Sequence, residues 1–177
     1  PIHSLAAGVM NGVGEPRLLL RGAASPHAYA LRPSGARALA QADLIFWIAP
    51  DLESFLIKQL NALAGQARIV QLSRLAGIAH RERSGAQRHG GEDFHIWLDP
   101  DNAAVIVRKM MQSLRELDGE NAATYSANGS ALLTQVTVAN AQLENAASWT
   151  SDGSLQITPH QLVVKTQASI EPQKDLT

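Results

Sequence analysis

The sequence lacks cysteine altogether. That excludes a disulfide framework, thiolate metal sites and a cysteine nucleophile, and it leaves the cellular compartment open. Charge of one sign is also missing: the formal net charge is −1 and only 18% of the 177 residues are charged. Such a balance gives no basis for nucleic-acid or membrane-surface binding. No apolar run approaches the roughly 18 residues that a spanning helix needs, so the chain does not read as membrane-spanning. Three motifs of enzymes are absent as well: the Gly-x-Ser-x-Gly elbow, His-Glu-x-x-His and a glycine-rich phosphate loop. Nor is there a repeat at solenoid periods. What remains is a globular balance, with 45% hydrophobic residues, in a chain long enough for one ordinary domain with a sizeable core.

The chain opens on Pro1, with no charged and apolar leader before it. A helical pattern begins at once: Ile2, Leu5, Ala6, Val9, Met10 and Val13 recur at helical spacing, and Gly12 and Gly14 close it. In α/β units a helix of this kind follows a strand. The expectation is therefore that a strand and any export signal lie upstream, and that the sheet keeps an exposed edge. His3 reads as a solvated residue near the helix start. Arg17-Leu-Leu-Leu20 reads as a buried strand, because strands covered on both faces are continuous apolar runs.

Residues 22 to 50 hold the first functional candidate. Pro26 restricts Ser25 and stiffens the approach to His27. Pro33 and Ser34 start a short helix over Ala36 to Ala42, and Leu44-Ile-Phe-Trp-Ile48 is the next strand. Asp51 reads as a partial cap for a helix whose buried stripe is Leu52, Phe55, Leu56, Gln59, Leu60 and Leu63, with Gly65 at its stop. Arg68 to Leu72 is a third strand.

Residues 79 to 94 are polar, glycine-bearing and without period, as in a surface loop. Its histidines, His80 and His89, read as solvated groups, with a weak, transient metal site as the alternative. Next comes Asp93-Phe-His-Ile-Trp-Leu-Asp-Pro100, and Asp99-Pro100 opens an amphipathic helix through Ala103, Ile106, Val107, Met110, Met111, Leu114 and Leu117. The two methionines fall at core spacing and read as packing. A long helical pattern covers 120 to 147, weakened at Thr137 and Val138 and by about 1 kcal/mol at Gly129. Beyond it, 155–157 and 162–165 read as short strands joined through Pro159-His160.

His27 and His95 are the ligand candidates, since both lie on loops at the ends of regular elements of an α/β unit. Neutral imidazole is the commonest metal ligand and suits zinc. By spacing alone they form no motif.

The run Gly-Ala-Ala-Ser-Pro-His27-Ala-Tyr-Ala-Leu-Arg-Pro-Ser, followed by Ala-Asp-Leu-Ile-Phe-Trp, resembles the zinc-binding periplasmic proteins of ABC importers (the cluster A-I metal receptors). That family carries Gly-Ala-Ser-x-His-x-Tyr-x-Leu-Arg-Pro-Ser. Asp-Phe-His95-Ile-Trp-Leu-Asp-Pro is similar to its second motif, His-x-Trp-(Leu/Met)-x-Pro, and Asn121 to Ala147 resembles the helix that joins its two lobes. The resemblance runs from about Ile2 to Ala147.

It implies an α/β fold: a parallel-sheet lobe with flanking helices over 1–119, then a long linking helix over 120–147. Residues 148–177 read as a divergent tail, with no second lobe. The resemblance further implies that His27 and His95 bind zinc, that the chain acts in the periplasm, that it delivers metal to a membrane permease, and that it is not an enzyme. The family completes its site with a third histidine and often a carboxylate from the second lobe, and no matching segment follows Ala147. His160 is the only histidine downstream. Two other readings stand beside this one. One is a manganese-type receptor or adhesin-like surface protein of the same fold. The other is a small α/β enzyme with a histidine base.

Overall fold

A computed structural model describes residues 1–19, 31–82, 92–149 and 155–157. Two compact units, Pro1–Thr137 and Val138–Thr177, are taken separately.

The first unit is built on a parallel strand pair. β1 (Leu44–Trp47) and β2 (Arg68–Gln71) run in register, with Leu44 opposite Arg68 and Trp47 opposite Gln71. The connection between them contains helix α3 (Ser54–Leu63), as parallel neighbours require a crossover. Alternation along β1 sends its side chains to two cores. Leu44, Phe46 and Ile48 pack into one with Ala6, Val9, Leu72, Ile106, Val107 and Met110. Ile45 and Trp47 pack into the other with Leu39, Leu56 and Leu60. Helices α1 (Ile2–Val9) and α4 (Pro100–Leu117) therefore cover one face, and α2 (Pro33–Ala40) and α3 the other. The apolar run Leu44 to Trp47 is continuous because both faces are covered.

Met110 is fully buried, which bears out its reading as packing. Asp99 caps α4 by accepting from the N–H groups of Asp101 (2.9 Å) and Asn102 (3.3 Å), and Pro100 occupies the first turn, where its missing N–H costs nothing. Arg68, at the start of β2, is ion-paired with Glu116 near the end of α4. The hydrogen bond from that guanidinium is the main reason the Glu116 carboxyl titrates below its ordinary value.

Several expectations are corrected. Residues 17–19 form no strand, and Leu18 is 41% exposed. A strand needs the regular ladder of a neighbour, and the described strand pairs do not include these residues. Arg17–Leu19 instead line a cavity of about 560 Å³ together with Ile2, Ala6, Leu39, Ile45 and Phe46 among others. His3 is not simply solvated: it is half-buried, with Nε2 2.8 Å from the carbonyl oxygen of Pro16. Asp51 caps nothing. The helix cap position is Glu53, whose carboxylate turns back to accept from the Ile48 N–H at 2.6 Å. Burial pushes the Glu53 carboxyl above its ordinary value, against the opposing pull of the Ile48 and Ala49 amides.

Helix α5 spans Ala122–Ala146 without a break. Thr134 and Thr137 satisfy their hydroxyls on the carbonyls of Ser130 and Leu133, so Thr137 does not interrupt it. At its start Tyr125 donates to Asp118 Oδ2 (2.8 Å), which also accepts from the Asn121 side chain. In the second unit β5 (Ala147–Trp149) pairs antiparallel with β6 (Leu155–Ile157). A partner of 155–157 is thus the strand just upstream; the expected strand at 162–165 lies outside the described residues. No helix among those described is long and apolar enough to cross a membrane.

Candidate metal site

The site is approached from the segment before α4. Asn102, 2% exposed, lies in the first turn of that helix and reaches across to Ala79. Its Oδ1 accepts from the Ala79 N–H at 2.7 Å and its Nδ2 donates to the Ala79 carbonyl at 2.9 Å. The chain then passes through His80 into β3 (Arg81–Glu82), which pairs antiparallel with β4 (Glu92–Asp93). The aperiodic stretch 79–94 therefore has ordered ends, a feature that polarity and lack of period could not show. Its middle, with His89, lies outside the described residues.

His80 is exposed as a residue, yet its ring is engaged: Nε2 is 2.8 Å from the Ser73 carbonyl oxygen and Nδ1 is 3.5 Å from Glu92 Oε2. A carbonyl only accepts, so Nε2 carries the proton. This histidine lies at the surface, as expected, and also ties the ribbon to the turn at Leu72–Arg74.

His95 follows the ribbon, just ahead of a short 3₁₀ turn, Ile96–Leu98. Ile96 is buried in the main core and acts as the anchor, while His95 beside it is exposed, with 52% of its side chain accessible. Its Nδ1 lies 2.6 Å from Asp93 Oδ1, and the Trp97 ring meets the imidazole edge-on at 5.2 Å and 63°. The other candidate, His27, lies outside the described residues. Among the described residues no three His, Cys, Asp or Glu side chains gather as a metal group.

The chemistry of this donor suits a metal of intermediate softness. Imidazole nitrogens serve zinc, copper, iron and nickel, whereas manganese prefers carboxylates and water. Asp93, Trp97 and Asn102 were not singled out by sequence. The Asp-x-His spacing was visible in the motif, but only the backbone turn shows that the acid folds onto the ring.

The parallel strand pair with helices on both faces makes the first unit an α/β fold. By fold, the chain is similar to a Mn-bound periplasmic metal binding protein from candidatus Liberibacter asiaticus (TM-score 0.71, 20% identity), covering 82% of this chain and 53% of that one. It is likewise similar to Zn(II)-bound AdcA from Streptococcus pneumoniae (TM-score 0.66, 20% identity), covering 82% and 31%.

The chain belongs to the family of the periplasmic component A of the zinc-uptake complex, whose model matches residues 1–163. The match passes Ala147, where the resemblance read from motifs ended, so part of the tail is family sequence too. High-affinity zinc uptake system proteins ZnuA are similar to it. That of Brucella abortus (strain 2308) is 34% identical over 170 residues, covering 74% of this chain and 51% of the relative. That of Paracoccus denitrificans (strain Pd 1222) is 27% identical over 176 residues, covering 82% and 54%. The chain spans about half the length of these relatives.

Proposed function

We propose that this chain captures zinc in the periplasm through His27 and His95 and passes it to the permease of an ABC importer, without catalysing a reaction. The observation that carries this reading is the arrangement at His95, where an exposed imidazole has Nδ1 held by a carboxylate. Ligating histidines nearly always donate the second ring N–H to such a partner. Family membership supports the cargo and the route, and two imidazole donors favour zinc over manganese.

Two imidazoles supply half of the near-tetrahedral shell that zinc takes in closed protein sites. On this reading the remaining positions are filled by water, by His160 or a loop histidine, or by a further lobe. Zinc titration of the intact chain against a competing chromophoric chelator tests the assignment. The expected result is binding that a His27→Ala, His95→Ala double variant loses. Equal affinity in the two proteins would overturn it.

A further inference from the structure

Asp93 holds His95 twice through one atom. Oδ1 accepts from the His95 backbone N–H at 3.0 Å and lies 2.6 Å from the ring Nδ1. An ionised carboxylate has no proton to give, so Nδ1 must carry it, and the neutral ring then keeps its lone pair on Nε2. The backbone bond fixes the direction of the carboxylate relative to the residue it serves. The ribbon fixes the carboxylate's own backbone, since Asp93 pairs with Arg81 across it. Trp97 packs edge-on against the ring and limits its rotation.

We infer that Asp93 is a positioning residue: it selects the Nδ1–H tautomer of His95 and presents Nε2 as the donor to a divalent metal ion. The inference rests on the reading of His95 as a ligand. Without the carboxylate both tautomers of the exposed ring become accessible, and the form protonated on Nε2 must give up or move that proton before Nε2 can bind a metal. Outer-shell partners of this kind are worth about 10–100-fold in metal affinity.

The test uses the full 177-residue chain, ¹⁵N-labelled and metal-free, at about two pH units above the ordinary imidazole pKa of ~6.5. Long-range ¹H–¹⁵N correlation spectra report each histidine's tautomer, and His95→Ala identifies the signal. The wild-type chain is expected to show His95 protonated at Nδ1. Asp93→Ala is expected to move it towards the Nε2–H form and to weaken zinc binding about 10–100-fold. Asp93→Asn retains an accepting oxygen and is expected to restore the Nδ1–H tautomer and much of the affinity; it also serves if the alanine variant fails to fold.

An unchanged His95 tautomer in Asp93→Ala overturns the inference, whatever the zinc affinity. So does an altered tautomer with unaltered affinity. Where His95→Ala weakens zinc and Asp93→Ala does not, the ligand reading stands and the inference alone fails. Where His95→Ala leaves the affinity unchanged, both fall.

Discussion

Asn102 and Ala79 exchange two hydrogen bonds across the base of the ribbon, the side-chain amide of one satisfying both backbone groups of the other (2.7 and 2.9 Å). A single side chain thereby does what a neighbouring strand would do. It fixes the point from which the chain departs towards His80 and the β3–β4 pair.

Replacing Asn102 with alanine removes both partners of the Ala79 backbone and the buried amide itself. A typical hydrogen bond contributes about 0.5–1.5 kcal/mol net, so Asn102→Ala is expected to destabilise the first unit by about 1–3 kcal/mol. Urea unfolding with an unchanged slope would register this as a lower midpoint. Substitution by aspartate, which keeps the acceptor and loses the donor, should recover part of the loss.

Glu53 gives a pH signature. Burial raises its folded-state pKa above the ordinary value of 4.5, so the native state holds a proton that the unfolded chain releases sooner. Its contribution to stability is complete below that ordinary value and is lost as pH rises through the folded-state pKa. Glu53→Gln keeps an oxygen for the Ile48 N–H and removes the charge. The variant should gain melting temperature over the wild type as pH rises from 4 to 7, and a difference independent of pH would contradict the assignment.

Gly129 is expected to resist even the smallest side chain. A β-carbon there would come 2.7 Å from Met111 Sδ and 3.1 Å from its Cγ, so α4 and α5 approach closely at this point. Gly129→Ala gains about 1 kcal/mol of helix propensity but meets an overpacking cost of about 1–3 kcal/mol. The net change should be a loss of stability. A compensating Met111→Ala should turn Gly129→Ala from harmful to neutral or favourable in a double-mutant cycle.

The β1 edge carries the fourth prediction. β2 covers one side of β1, and a cavity of about 560 Å³ lies along the edge lined by Leu44, Ile45 and Phe46. Among the described residues β2 is the one strand paired with β1, and an edge beside apolar space can recruit other strands. The 177-residue chain by itself is expected to melt with concentration dependence and to sediment partly as higher species. A sharp monomer transition that does not move with concentration would count against this.

What was legible in the sequence follows from the range of the interactions. β1, α4 and α5 were readable because period and caps are local: Leu44–Trp47 is a continuous apolar run, and Asp99-Pro100 announces the helix it begins. The strand expected at Arg17–Leu20 was not realised over residues 17–19, because apolar composition alone does not specify the extended ladder. The motif drew attention to His95, and the structure adds its contacts with Asp93 and Trp97. Asp93 beside it was in view, but its role depends on a backbone turn that a spacing of two does not specify. Asn102 was harder still, since its partner Ala79 is distant in sequence and chemically featureless.

The ribbon of Arg81–Glu82 with Glu92–Asp93 acts as a clasp at the neck of the intervening segment. Its ends stay together whatever the length between them, and doubling a loop adds only about 0.6 kcal/mol of closure entropy. The pairing also fixes Asp93 at the end of β4, two residues ahead of His95, so the clasp and the metal-ligand candidate share one short stretch of backbone. Breaking the clasp is a way to loosen the imidazole without touching it.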